Sequence, residues 1–202
     1  MFDRRGFVPT PVIADVATLL HHDLPTTGRV GETGLLRLGT GLGLVGWTGT
    51  AVIERTTDPS AGLVALAWWV LPVTAMLFVI GRHAVDAVRF SVPLLGWGLL
   101  NGTATTATLW AVTVGASPGA VPVVWLVDFA LGYTWTAIAV GRAGRWGRAR
   151  GYAAAAFSCA VAVGVGVTGV VDGVALSYPV VATLHVGPLA LDAGGVFGAR
   201  RT

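Results

Sequence analysis

"VPVVWLVDFALGYTWTAIAVGRAGRWGRARGYAAAAFSCAVAVGV", residues 121–165, decides the fold of this chain. Two apolar runs, each long enough to cross the ~30 Å hydrocarbon core of a bilayer, flank one short segment rich in arginine. The first run, 120–141, carries one charged side chain, Asp128, and the second, 151–171, carries none. This pattern predicts two transmembrane helices joined by a short basic loop.

The composition favours lipid rather than water as the solvent of the fold. Of 202 residues, 54% are hydrophobic and 11% are charged, whereas soluble domains carry about 25% charged residues. All 13 basic residues are arginine, which excludes a lysine Schiff base and a P-loop lysine. Cys159 is the only cysteine, so an intrachain disulfide and a cysteine-based zinc site are also excluded.

Apolar stretches of this length recur along the chain and predict an all-α polytopic membrane protein with six transmembrane helices. Arginines cluster before the first stretch, between the second and third, between the fourth and fifth, and after the sixth. The positive-inside rule therefore places both termini in the cytoplasm. The predicted spans are 34–53, 61–80, 91–115, 120–141, 151–171 and 178–198.

The domain organisation follows from these spans. Residues 1–33 are predicted to form a cytoplasmic segment, in which Thr10 caps a short amphipathic helix that begins at Pro11 and lies on the membrane surface. Residues 34–198 form the transmembrane domain and 199–202 a cytoplasmic tail. We expect a multi-pass protein of a prokaryotic cell membrane, surrounded by the lipid bilayer. No nucleic-acid partner is expected, because the arginines lie at the ends of spans.

Polar side chains inside the spans need a reason, because an ionisable group at the bilayer centre costs roughly 2.5–3.5 kcal/mol on insertion. Asp128 lies in the middle of the fourth span, and Asn101 in the third span is followed by four threonines. His185 and Asp192 lie in the outer and inner halves of the sixth span. These residues form either an inward-facing binding cluster or hydrogen bonds that only hold the bundle together, and both interpretations stay open.

Ser117 lies in "VGASPGAV", residues 114–121, at the predicted outer mouth between the third and fourth spans. "LHVGPL" carries the one histidine inside a span, His185. A serine at the start of the fourth span and a histidine in the sixth resemble the rhomboid intramembrane serine proteases. "GRHAVDAVR" after the second span is similar to the acidic turn of that family, with Asp86 in place of glutamate.

The resemblance implies a rhomboid-like bundle with a catalytic dyad, in which His185 takes the Ser117 proton as general base. Backbone N–H groups near Ser117 would stabilise the oxyanion. The second span lacks the histidine and asparagine that the family uses for the same purpose, and Pro118 has no N–H to donate. The resemblance therefore allows either an active protease or an inactive relative that binds a transmembrane client helix.

Two other classes of function stay open. A small solute or ion transporter would use Asp128 and Asn101 as its binding residues in the middle of the membrane. A structural subunit of a membrane complex would have no site of its own. No cofactor or metal site is predicted, because His185 is the only one of the four histidines inside a span, and the oligomeric state is left undetermined.

Overall fold

The computed structural model describes residues 31–56, 71, 74–75, 82–115, 119–168 and 177–198. Three of the predicted features lie outside the described residues: the surface helix after Thr10, most of the span 61–80, and Ser117. Regular structure in the described ranges is helical, which confirms the all-α class. The helices are α1 (Glu32–Thr56), α2 (Asp86–Arg89), α3 (Val92–Thr113), α4 (Ala120–Arg142), α5 (Trp146–Thr168) and α6 (Tyr178–Ala193).

Five of these helices coincide with predicted spans, with shifts at their ends. The largest shifts, of five residues each, are at the start of α5 and the end of α6. α5 begins at Trp146 rather than at 151, so that Arg148 lies within its first turn. α6 ends at Ala193 rather than at 198, which puts His185 near the middle of the helix. Among the described helices, α4 and α5 are long and apolar enough to cross a membrane.

A tight turn joins α4 to α5 and makes them antiparallel neighbours. The Arg145 N–H donates to the Val140 carbonyl at 2.9 Å, and the Gly144 N–H donates to the Gly141 carbonyl at 2.9 Å. Gly144 has a φ of 76°, a conformation that glycine adopts without the steric cost of a side chain. This pair of bonds is the Schellman ending of a helix, which satisfies carbonyls that would otherwise lack donors.

The core is aromatic and lies where α1, α4, α5 and α6 meet. Phe129 and Tyr133 of α4 are fully buried at its centre. The Tyr133 ring stacks on Tyr152 of α5 with centroids 5.8 Å apart. The other buried members of this core are Trp47, Leu126, Val140, Ala149, Ala155, Ala156, Cys159, Tyr178 and Val181.

Small residues recur at helical spacing around Gly43 of α1, a pattern that predicts a close approach of another helix. In the structure that helix is α6: a Cβ atom on Gly43 would lie 3.0 Å from a methyl group of Val186 and 3.2 Å from the His185 ring. Gly98 and Gly102 of α3 have the same spacing. Outside their own stretch of helix, no atom of the described residues comes within 4 Å of the position that a Cβ would take on either glycine.

α3 packs against α4 through two tryptophans. The Trp97 Nε1–H donates to Thr136 Oγ1 at 2.9 Å, and the Trp97 ring covers Gly132, where an added Cβ would lie 2.5 Å from the ring. The Trp135 Nε1–H donates to the Val92 carbonyl at 3.0 Å. These contacts join the start of α3 to the second half of α4, so the two helices run antiparallel.

An ionic cluster ties three helices together at one end of the bundle. The Arg148 guanidinium lies 2.7 Å from a carboxylate oxygen of Glu32 in α1, and it also donates to Asp192 in α6. The Tyr152 hydroxyl donates to the same Asp192 oxygen, and Arg145 lies 3.4 Å from Glu32. The buried charge of Asp192 is therefore both paired and hydrogen-bonded, as a buried carboxylate requires.

Replacing Arg148 by methionine is expected to lower the free energy of unfolding by about 3–5 kcal/mol, because a buried carboxylate loses its cation. Asp192 is 8% exposed, so water cannot replace the guanidinium. The measurement is thermal or denaturant unfolding of the purified protein in detergent. Arg150→Met is the matched control, because Arg150 is exposed on the same helix; equal losses in both variants would contradict the expectation.

Candidate functional site

His185 is held by side chains from two other helices. The Trp47 Nε1–H of α1 donates to His185 Nδ1 at 3.0 Å. The imidazole also stacks on Phe129 of α4, with ring centroids 4.3 Å apart and planes 21° from parallel. Gly43 leaves the space in which the ring lies against α1. The side chain is therefore fixed in both position and orientation.

The backbone of His185 is fixed as well. The Tyr133 hydroxyl donates to the His185 carbonyl at 2.6 Å, so α4 contacts both the ring and the main chain of this residue. Tyr133 lies one turn after Phe129, and both side chains are fully buried. The two residues of α4 thus hold one residue of α6 from the same side.

The Trp47 hydrogen bond determines which imidazole nitrogen carries the proton. An indole N–H can only donate, so His185 Nδ1 must accept and must be unprotonated. In the neutral ring the proton is then on Nε2, which acts as a donor. A general base needs a free lone pair directed at the proton that it removes. In this arrangement the lone pair of His185 is already occupied by Trp47.

The other half of the predicted dyad, Ser117, lies outside the described residues, so its contact with His185 stays a prediction. Gly119, at the start of α4, is described. Phe129, against which the imidazole stacks, follows Gly119 by ten residues. At 1.5 Å per residue this places the ring about 15 Å along the helix from Gly119.

Asp128 lies beside Phe129 in the chain and faces a different helix. Its side chain is 4% exposed, and its Oδ2 atom is buried and receives no hydrogen bond from the described residues. Two buried hydroxyl groups on α3, those of Thr105 and Thr108, are likewise without partners. The predicted mid-membrane aspartate is therefore buried, and the part of the chain that the structure describes provides no ion pair for it.

The register of α3 against α4 brings these groups to one level. Trp97 of α3 is hydrogen-bonded to Thr136 of α4. Thr105 follows Trp97 by eight residues, and Asp128 precedes Thr136 by eight. Because the helices are antiparallel, equal steps in opposite directions along the two chains keep residues opposite each other. Thr108 is one turn further along the same face of α3.

Most threonine hydroxyl groups in the described helices are hydrogen-bonded, whereas those of Thr105 and Thr108 are not. Threonines in these helices usually donate to the carbonyl three or four residues earlier, as Thr106 does to Gly102 at 2.9 Å, and this local bond satisfies the hydroxyl without a neighbour. The buried hydroxyls of Thr105 and Thr108 do not make it. The threonines that do are Thr40, Thr50, Thr56, Thr103, Thr106, Thr113, Thr134, Thr136, Thr168 and Thr183.

Asn101, the other predicted binding residue, lies one turn before Thr105 on α3. Its Nδ2–H donates to the Trp97 carbonyl at 2.8 Å. This bond anchors the amide to its own helix and leaves its oxygen available as an acceptor. The structure thus places Asn101, Thr105 and Asp128 along one helix interface, and it places His185 at another.

Sequence reasoning missed the residues that hold His185. Trp47 follows Gly43 by four residues, on the small-residue seam that the sequence does predict, so its position could have been found from that spacing. Phe129 and Tyr133 carry no such signal, because aromatic residues also occur on faces that contact lipid. Glu32 was likewise missed as the partner of Arg148.

No protein family, curated protein or solved structure matches the chain. In the described ranges, no group of three or more histidine, cysteine, aspartate or glutamate side chains is arranged to hold a metal ion.

Trp47→Phe is expected to lower the free energy of unfolding by about 1–3 kcal/mol, because a buried acceptor loses its donor while the ring is largely kept. Nitrogen-15 NMR of the histidines should show His185 protonated at Nε2 in the wild type. Trp146→Phe serves as the control, because Trp146 is 65% exposed. A wild-type His185 protonated at Nδ1 would contradict the assignment.

Proposed function

We propose that this chain is a rhomboid-like, multi-pass protein of a prokaryotic cell membrane that binds a transmembrane helix of another protein and does not hydrolyse peptide bonds. The observation that carries the proposal is the hydrogen bond from Trp47 to His185 Nδ1. It gives the histidine a structural role at the position where the resemblance requires a general base. The protein is then an inactive relative of the family and not a protease.

The proposal includes six spans with both termini in the cytoplasm. Its support is that the start of α1, the start of α5 and the end of α6 meet at the Arg148 cluster. The arginines of the loop between α4 and α5 lie at this same end. Since arginine favours the cytoplasmic side, this end of the bundle faces the cytoplasm.

Two features of His185 argue against hydrolysis. Its Nε2 carries the proton in the neutral ring, so that a serine hydroxyl approaching Nε2 would meet a donor instead of a base. The ring also lies about 15 Å along α4 from Gly119, deeper than expected for a histidine that serves a nucleophile at the mouth of that helix. An active enzyme would need Trp47 to release the ring and the imidazole to change its tautomer.

The client-binding part of the proposal rests on the outer face of α3. An open groove of about 710 Å³ runs along this face. Leu99 is 73% exposed and Trp110 66% exposed, although both are large and apolar. Gly98 and Gly102, on the same face, have the four-residue spacing that lets transmembrane helices approach closely. The groove is lined by Gly98, Leu99, Gly102, Thr103, Thr106, Ala107 and Trp110.

A second candidate function is transport of a small solute or ion. The specific observation in its favour is the buried Asp128 carboxylate without a partner among the described residues. Ionisable residues inside membrane helices mark ion and proton pathways more often than they mark simple packing.

A serine-reactive fluorophosphonate is expected not to label the purified protein, because His185 does not activate Ser117. The protein reconstituted in lipid vesicles should likewise leave transmembrane substrate helices uncleaved. An active serine hydrolase in the same sample verifies that the probe works, and the unfolding transition verifies that the protein is folded. Labelling or cleavage by the wild type that disappears in Ser117→Ala would overturn the proposal.

A photo-crosslinking side chain at Leu99 is expected to form an adduct with a membrane-spanning segment of another protein, identified by mass spectrometry of the linked peptide. Gly102→Leu fills the groove and should reduce the adduct severalfold. Gly164→Leu on α5 is the control, since its Cβ would also meet no atom of the described residues within 4 Å. An adduct only with lipid, or only with a second copy of this chain, would contradict the client interpretation.

A further inference from the structure

The interface between α3 and α4 buries oxygen atoms that nothing in the described chain satisfies. These are Oδ2 of Asp128 and the hydroxyls of Thr105 and Thr108. The three residues are 4%, 9% and 2% exposed. A buried polar atom without a partner costs about 1–3 kcal/mol, and a charged one costs more. Three such atoms on two neighbouring helices indicate a partner that the described residues do not supply.

The chemistry of this region narrows the partner to a cation. The unsatisfied atoms are all oxygens, one of a carboxylate and two of hydroxyls, and Asn101 lies one turn before Thr105 on α3. Oxygen-only ligand sets suit hard cations and not the softer transition metals. A hydroxyl can rotate its hydrogen away and present a lone pair, and no indole or guanidinium group of the described residues donates to Asp128 Oδ2.

The charge of the surrounding residues indicates that the bound cation carries a single positive charge. α3 contains no ionisable side chain at all between Val92 and Thr113. The only other charged residue of α4 is Arg142, at its far end. One carboxylate balances one monovalent ion, while a divalent ion would keep an excess positive charge inside the membrane, where uncompensated charge is costly.

We propose that Asp128, Thr105 and Thr108 form a binding site for a monovalent alkali cation between α3 and α4. The site lies on the opposite face of α3 from the client groove, and binding of a helix in that groove does not require an ion. The proposal therefore goes beyond the proposed function. Sodium is the natural probe, because it is small and hard and is bound in other membrane helices by oxygen atoms.

The test measures the unfolding temperature of the full-length protein in detergent while sodium replaces choline at constant ionic strength and slightly alkaline pH. A ligand that binds only the folded state raises stability in proportion to the logarithm of its concentration above Kd. The unfolding temperature of the wild type should rise with the logarithm of the sodium concentration above Kd and should not rise with choline. The direct counterpart is radioactive sodium binding at a stoichiometry of one ion per chain.

Variants of the ligands test whether the effect arises at this site. Asp128→Asn should abolish the dependence on sodium, and it should raise the unfolding temperature in choline, because a neutral amide removes an unpaired buried charge. Thr105→Val should weaken the apparent sodium affinity about tenfold, in the range found for changes around metal sites. Thr106→Val is the matched control, since Thr106 is exposed and bonded to its own helix.

Two results would overturn the proposal. The first is a wild type whose unfolding temperature does not rise with sodium and which binds no radioactive sodium. A water molecule or a protonated Asp128 carboxyl group would then account for the buried oxygens. The second is a sodium effect of equal size in Asp128→Asn, which would place the ion elsewhere. Because the Asp128→Asn protein is expected to be at least as stable as the wild type in choline, loss of folding does not obscure either result.

Discussion

The hydrogen bond from the Trp47 indole to the His185 imidazole is the contact on which the arrangement of the bundle depends. It joins residues that are 138 positions apart in the chain, and it joins them near the middle of α1 and α6. Since one partner can only donate and the other must accept, the bond specifies the tautomer as well as the geometry. The stacking of Phe129 on the same ring then fixes α4 against α1 and α6.

The ionic cluster at the arginine-rich end provides the second fixed point. Asp192 follows His185 by seven residues, about 10 Å along α6, so α6 is attached to its neighbours at two depths. A single attachment prevents sliding of α6 along α1, and two attachments at different depths also prevent rotation of α6. In a bilayer, where apolar packing between helices gains little from exclusion of water, directional bonds of this kind carry much of the specificity.

The sequence predicts the helices of this protein far better than it predicts their partners. Hydropathy locates α3 and α4 to within two residues, because each is a long apolar run that ends at a glycine-containing turn. Small residues recur in several spans, however, and the pattern does not distinguish the seam at Gly43, which packs against α6, from that at Gly98, which faces open space in the described structure. The sequence is equally limited in predicting the protonation of a side chain. The place of His185 in the chain predicts a general base, but the protonation of its ring depends on Trp47, which only the folded structure brings near.

The polar residues of the third and fourth spans show where prediction from sequence succeeds and where it ends. Asp128 and the threonines after Asn101 could be identified as an unusual set, because lipid penalises them. Which threonines matter could not be read from the sequence, since Thr105 and Thr106 are neighbours of the same type. Burial separates them: the exposed Thr106 hydroxyl is bonded to its own helix, whereas the buried Thr105 hydroxyl has no partner among the described residues.

Adjacent residues of opposite character define the rotation of α4. Asp128 is buried without a partner among the described residues, and Phe129 faces the imidazole of α6. Successive residues point about 100° apart around a helix, so a rotation of α4 by one position would place the carboxylate among aromatic rings and the phenyl ring among hydroxyls. Both environments would lose their interactions at once. The pair therefore selects one rotation of the central helix, and the same choice that completes the aromatic core around His185 leaves Asp128 Oδ2 buried without a partner among the described residues.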